Sequence, residues 1–224
     1  MIYDNICEGH FISRPNRFIA NIEIDGVAQV CHVKNTGRCA ELLVPGCRVW
    51  VQRAQNTARK TLFDLITVDR GDMLVNIDSQ APNRLFAEWA KKNVPDLEEI
   101  KPEQTFGDSR FDFRIKAGGR DMFVEVKGVT LERDGRALFP DAPTERGIKH
   151  LNGLARAAGE GYGAVVFFVI QMKGPGTFGP NRDTHPAFGD ALERAREAGV
   201  KIMAYDCIVT PGSIVIDRPI DIRL

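Results

Sequence analysis

Two spacings alternate along this chain. Short runs in which every second residue is apolar mark half-buried strands, and stretches with apolar residues three and four apart mark helices. "FIANIEI" and "VAQVCHV" show the first spacing and flank Asp25-Gly26, a dipeptide suited to the positive φ angles of a tight hairpin turn. "CRVWVQRA", "KTLFDLITV" and "MLVNID" follow, separated by short polar or Gly-containing stretches. Strands at this density with no long helix predict a small barrel or sandwich. The pattern changes near Pro82, where Leu85, Phe86, Trp89 and Ala90 fall on one helical face. This divides the chain into residues 1–81 and residues 82–224.

After that helix comes "SRFDFRIKAGGRDMFVEVKGV", residues 109–129. Phe111, Phe113 and Ile115 alternate with Arg110, Asp112 and Arg114, and Val124 and Val126 alternate with Phe123, Glu125 and Lys127. Gly118-Gly119 between them predicts a two-residue turn, and that register sets Asp112 opposite Glu125 and Arg110 opposite Lys127. "TERGIKHLNGLARAAG" then reads as a helix, "AVVFFVIQM" as a central strand and "HPAFGDALERAREAG" as a second helix, with Pro186 in its first turn and Gly199 past its end. "VKIMAYDCIV" is a further strand. Strand, helix, strand in that order predicts a parallel crossover and a mixed sheet covered by helices.

Composition narrows the picture. The 224 residues, 43% of them hydrophobic, suffice for one or two domains. Formal net charge is +0, so any nucleic-acid role must come from local patches. One such patch lies between residues 34 and 60, where Lys34, Arg38, Arg48, Arg53, Arg59 and Lys60 face only Glu41. The longest apolar run is far shorter than the roughly 20 residues of a membrane span. The first residues lack the charged start and apolar core of a signal peptide. Five cysteines form no CxxC pair, and the spacing of Cys31-His32, Cys39 and Cys47 does not match a common zinc site. Reduced, mostly buried thiols in a cytoplasmic protein are the expectation.

Directly opposed carboxylates repel, so something positive belongs between Asp112 and Glu125. Oxygen ligands of this kind suit a hard cation such as Mg²⁺ (or Mn²⁺), which takes one or two carboxylates and keeps several waters. Lys127, on the face of Glu125, is placed to reach that cation's water or a phosphate. The plain alternative is a surface hairpin with solvated charges. Glu88 on the preceding helix is a candidate for extending the metal site, and Gln171 at a strand end for supporting it; a solvated helix glutamate and a strand-end amide are the alternatives. Arg146, Lys149 and His150 near a helix start, and Lys34 and Arg38 in the barrel, are candidate nucleic-acid contacts. Trp50 and Phe63 are candidates to stack on bases, with burial in the barrel core as the alternative.

Asp112 followed across a hairpin by Glu125-Val126-Lys127 resembles the PD-(D/E)xK nuclease core. Beyond it, "NRFIANIEIDG", "HVKNTGRCAELLVPG", "FGDSRFDF", "FVEVKGVTL", "FPDAPTERGIKHL" and "AYDCIVTPGSI" together resemble the sugar fermentation stimulation protein A family over nearly the full length. That resemblance implies an α/β architecture: an N-terminal OB-like β-barrel, then a restriction-endonuclease-like mixed β-sheet flanked by α-helices. It further implies DNA binding linked to sugar catabolism; since OB folds commonly bind single strands, single-stranded DNA or RNA are alternative targets. Two readings follow. In one, Asp112, Glu125 and the Val126 carbonyl hold Mg²⁺ and Lys127 assists cleavage; in the other, the same residues are a remnant in a non-catalytic DNA-binding regulator of sugar (maltose) metabolism. A pure interaction module is a third.

Overall fold

A computed structural model describes residues 1–35, 37–56 and 58–224. Asp25 and Gly26 take φ of 50° and 77°, and their turn joins β2 (Ile19–Ile24) to β3 (Val27–Val33) in the antiparallel register the sequence predicts. β2 also pairs with β1 (Ile6–Asn16), which pairs on its far edge with β4 (Arg48–Arg53), and β4 pairs with β5 (Phe63–Asp69). Parallel pairing of β5 with β3, through Cys31–Phe63 and Val33–Leu65, closes these five strands into a barrel. Closure leaves no open strand edge among them. The short β6 (Leu74–Asn76) extends β5 and touches Met172 of the second half.

Helix α1 (Ala81–Asn93) follows, with Pro82 in its first turn and Lys91 and Lys92 in its last. Both features suit a helix's ends, since proline has no N–H to leave unpaired and cations oppose the C-terminal partial charge. The strand β7 (Leu97–Phe106), β8 (Ser109–Ala117) and β9 (Arg120–Val129) form a meander. A small hairpin of β10 (Leu131–Arg133) and β11 (Arg136–Phe139) leads to α2 (Glu145–Gly159), whose N-cap Thr144 accepts from Gly147 N–H at 3.0 Å. After α2 come β12 (Gly163–Ile170), β13 (Thr177–Pro180), α3 (Pro186–Glu197), β14 (Lys201–Thr210), β15 (Ser213–Pro219) and β16 (Asp221–Ile222).

The main sheet runs β15-β14-β12-β9-β8-β7, with β12 parallel to both β9 and β14. The apolar run of β12 is therefore central and buried on both faces, as its sequence predicts. One face packs under α1 through Phe86, Phe113, Val124 and Phe167. The other packs under α2 and α3, and its core continues through Phe168 and Phe178 into barrel residues such as Ile22, Val51 and Leu65. Trp50 and Phe63 lie in the barrel wall, 6% and 9% exposed, and are not free to stack on bases. Among the described residues no helix is long and apolar enough to cross a membrane. All five cysteines are free thiols, three of them buried.

Candidate functional site

The Gly118-Gly119 turn forms with φ of 54° and 73°, and the predicted register holds from Ala117–Arg120 back to Phe113–Val124. There the regular ladder stops. Phe113 and Ile115 pack beneath α1, whereas Phe111 packs on the opposite face against Phe123 and the His150 ring. The expected single face of Phe111, Phe113 and Ile115 is thus broken at Asp112. Glu103 on the facing strand takes φ of 52° at the same level, a local distortion of the kind that re-aims a side chain. In place of a paired position opposite Glu125, Asp112 accepts a 2.8 Å hydrogen bond from Val126 N–H. The predicted Arg110–Lys127 pairing is absent; Arg110 is exposed and lies 3.8 Å from Glu103.

The carboxylates of Asp112 and Glu125 are reached from different layers. Asp112 Oδ1 accepts from the Asn83 amide of α1 at 2.9 Å. Glu125, 2% exposed, directs Oε1 to His150 Nδ1 of α2 and to the Lys127 ammonium. Its other oxygen, Oε2, is buried and has no hydrogen-bond partner among the described residues. An unpaired buried carboxylate oxygen is costly unless something positive meets it. Burial, and then the charge of Glu125, hold the Asp112 carboxyl above its ordinary range. Burial pushes Glu125 the same way, but His150 and Lys127 outweigh it and keep its carboxyl below the usual value. A carboxyl whose anion is disfavoured by burial and by a neighbouring carboxylate sits in an environment a cation would relieve.

Several expected site residues lie elsewhere. Glu88, half-exposed, pairs with the Met1 ammonium at 3.1 Å on the outer side of α1, so Asn83 and not Glu88 is the helix residue that meets Asp112. Gln171 is buried, and its amide nitrogen donates to the Asn76 carbonyl, the Asn76 side chain and the Asp78 carbonyl, each at 3.0 Å. It ties the end of β12 to the end of the barrel. His150, only 6% exposed, is turned inward to Glu125. Arg146 and Lys149 remain on the surface of α2, Lys149 lying 3.4 Å from Asp108.

Half of the basic residues between 34 and 60 are paired with aspartates outside that segment. Lys34 lies 3.5 Å from Asp64 and 3.6 Å from Asp78, Arg48 pairs with Asp69 at 2.7 Å, and Arg59 with Asp64 at 2.7 Å. Of the six basic residues, Arg38, Arg53 and Lys60 are without such a partner among the described residues. Thr36 of the "NTGR" loop lies outside the described residues. Its neighbours meet the second half of the chain, where Arg38 N–H donates to Asp141 at 3.2 Å. A Cβ on Gly37 would stand 2.1 Å from that carboxylate, so the approach requires glycine. Tyr3, which no sequence pattern marks, sits in the same region, its hydroxyl 3.2 Å from Asp78 and its pKa pushed up by burial and then by that carboxylate.

Residues 80–213 match the family model described as the sugar fermentation stimulation protein RE domain, and residues 12–77 match the SfsA N-terminal OB domain. The chain belongs to the sugar fermentation stimulation protein family. It is 60% identical over 215 residues to a sugar fermentation stimulation protein homolog of Desulfitobacterium hafniense, an alignment covering 96% of this chain and 94% of that one. A homolog from Ruminiclostridium cellulolyticum is 50% identical over 226 residues, covering all of both chains. Among solved structures, that of Pyrococcus furiosus SfsA in complex with Ca²⁺ superposes with a TM-score of 0.91 at 26% identity, covering 100% of this chain and 98% of that one. The barrel followed by a helix-flanked mixed sheet is therefore the architecture of the family.

Proposed function

We propose that this protein binds nucleic acid and cleaves it at a divalent-cation site built on Asp112 and Glu125. The observation that carries the reading is the buried, unpartnered Oε2 of Glu125 beside a second carboxyl that Glu125 itself destabilises as an anion. The residues fit a hard cation: Asp112, Glu125 and the Val126 carbonyl would hold it. Among the described residues no group of three or more His, Cys, Asp or Glu side chains is placed to hold an ion. Two carboxylates and a carbonyl suit Mg²⁺ or Mn²⁺, which keeps waters, better than an all-protein cage. The complex of the Pyrococcus furiosus relative with Ca²⁺ supports a divalent ion in this family. When bound, such an ion polarises a phosphate and lowers the pKa of a water.

The chain's own side chains do the rest. Lys127, held beside Glu125 with its side chain 19% exposed, offers a cation to charge developing on a phosphate. Arg146, Lys149 and Arg38 are exposed and bind the phosphodiester backbone without reading sequence. The Lys149–Asp108 pair is solvent-exposed, and such pairs are worth about 0–1 kcal/mol, so a phosphate can displace the aspartate. Free thiols suit the reducing cytoplasm. A role in regulating sugar catabolism accords with the family's name.

The deciding experiment measures cleavage of single- and double-stranded DNA and RNA with Mg²⁺ or Mn²⁺, beside Lys127→Ala. One lysine among several phosphate contacts adds little affinity, whereas transition-state charge stabilisation is worth about 3–4 kcal/mol of barrier. Lys127→Ala should therefore keep its binding constant while its rate falls by about 10²–10³-fold. No metal-dependent cleavage of any nucleic acid by wild type would overturn the nuclease reading and favour a non-catalytic DNA-binding regulator.

A further inference from the structure

Glu125 is the inner end of a chain of side chains that runs out of the core to the surface of α2. His150 Nδ1 meets its Oε1, and both residues are nearly excluded from water, at 2% and 6% exposure. The ring's Nε2 faces Arg146 Nε at 3.4 Å. An arginine nitrogen only donates, so Nε2 accepts and the ring proton sits on Nδ1, aimed at Glu125. Arg146 and His150 are four residues apart and share a helix face.

The helix is held close enough to the sheet for this by Gly153. A Cβ there would stand 2.6 Å from Ser109 Oγ and 3.0 Å from Phe111. Phe111 packs edge-on against the His150 ring, 6.3 Å between centroids, and limits its rotation. Lys127 occupies the same Oε1. Two donors on one oxygen leave Oε2 alone without a partner. The two oxygens of a free carboxylate are interchangeable by rotation, so fixing one selects the other.

We infer that His150 is a positioning residue that, backed by Arg146, fixes Glu125 through Oε1 and presents Oε2 to the divalent cation. This rests on the metal-site reading above. It gives a metal-binding carboxylate an outer partner of the kind that typically changes affinity 10–100-fold when removed. His150 thus acts inward on Glu125 rather than on the nucleic acid.

The test uses the full chain and Mn²⁺ alone, titrated calorimetrically into wild type, Asp112→Asn, His150→Asn, His150→Gln and Arg146→Ala. Asparagine sets its amide nitrogen where Nδ1 stands and keeps the bond; glutamine sets it near Nε2 and loses it. His150→Asn should bind close to wild type, His150→Gln about 10–100-fold more weakly, and Arg146→Ala should weaken binding in the same direction by less. Melting temperatures without metal show that each variant is folded. Equal affinities for the Asn and Gln variants, whether both strong or both weak, overturn the positioning role while the cation site stands. A folded wild type that binds no Mn²⁺ removes the metal reading itself, and Asp112→Asn binding as well as wild type moves the site elsewhere.

Discussion

Lys34 separates two physical roles for one basic residue. A lysine that binds phosphate keeps its ammonium toward solvent, whereas this one lies 3.5 Å from Asp64 and 3.6 Å from Asp78 with its side chain 16% exposed. Methionine is a suitable replacement because it has similar length and no charge. At an effective dielectric of about 20, each pair attracts by about 5 kcal/mol gross. Desolvation of the ions offsets most of that. The net effect depends on what remains to each aspartate. Asp64 keeps Arg59 at 2.7 Å and His32 at 3.2 Å. Among the described residues Asp78 keeps only the Tyr3 hydroxyl at 3.2 Å and the Gln80 N–H at 2.9 Å, with no cation. Stranding a buried charge costs about 3–5 kcal/mol, and with one aspartate stranded the lower end applies, about 3 kcal/mol.

For a chain of this size each kcal/mol moves Tm by roughly 2–4 °C, so Lys34→Met should melt roughly 6–12 °C below wild type. Thermal unfolding at neutral pH measures this, beside Lys34→Met/Asp78→Asn. Neutralising Asp78 removes the stranded charge, so the double variant should regain most of the loss. Nucleic-acid affinity, measured well below either melting point, should be unchanged. A Lys34→Met protein that melts with wild type but binds nucleic acid severalfold more weakly would refute the reasoning and return Lys34 to the binding surface.

Two further outcomes are expected. Gly128→Ala would set a Cβ 2.3 Å from Gln171 Oε1 and 2.7 Å from Pro82, displacing the amide that ties β12 to the barrel; a loss of about 2–3 kcal/mol in urea unfolding is expected, with Gly159→Ala, where nothing lies within 4 Å, as a near-neutral control. Burial pushes the Asp64 carboxyl up, but Arg59, Lys34 and His32 outweigh it and hold it below its ordinary value. A depressed folded value means its contribution is present above the unfolded pKa and lost as pH falls through the folded one. The stability gap between wild type and Asp64→Asn should therefore close on acidification below about pH 4.

How far the sequence discloses this fold depends on how local the deciding interaction is. Asp25-Gly26 and Gly118-Gly119 specify their turns through their own backbone freedom, and the second hairpin keeps its predicted register from the turn as far as Phe113–Val124 but not to Asp112. The helices α2 and α3 are equally legible, their apolar spacing bounded by Thr144 and Pro186. β7, by contrast, reads as polar: "LEEIKPEQTF" has no alternation and contains Pro102. It is an edge strand, where proline is tolerated and only a neighbour on one side supplies hydrogen bonds. The Glu125/Lys127 face follows from strand parity and holds. Which residue of α1 meets Asp112 does not follow, because helical spacing gives a face but no phase against the sheet. Asn83 and Glu88, five residues apart, point to different neighbours.

The same limit explains the residues that changed roles. Between positions 34 and 60 stand six cations and one acid, while the partners of three of them, Asp64, Asp69 and Asp78, fall outside that window. The barrel folds those aspartates back onto Lys34, Arg48 and Arg59, and so removes half of the apparent binding surface. His150 shows the converse. Beside Arg146 and Lys149 it reads as one more cation on an exposed face, yet the 3.6-residue period turns it with Leu151 and Leu154 toward the sheet. A histidine among buried apolar positions needs a polar partner, and the carboxylate that meets it from β9 is Glu125. The sequence thus contains the signal for that contact. What it lacks is the twist at Asp112 that brings Phe111 over to the α2 side and sets the ring against the carboxylate.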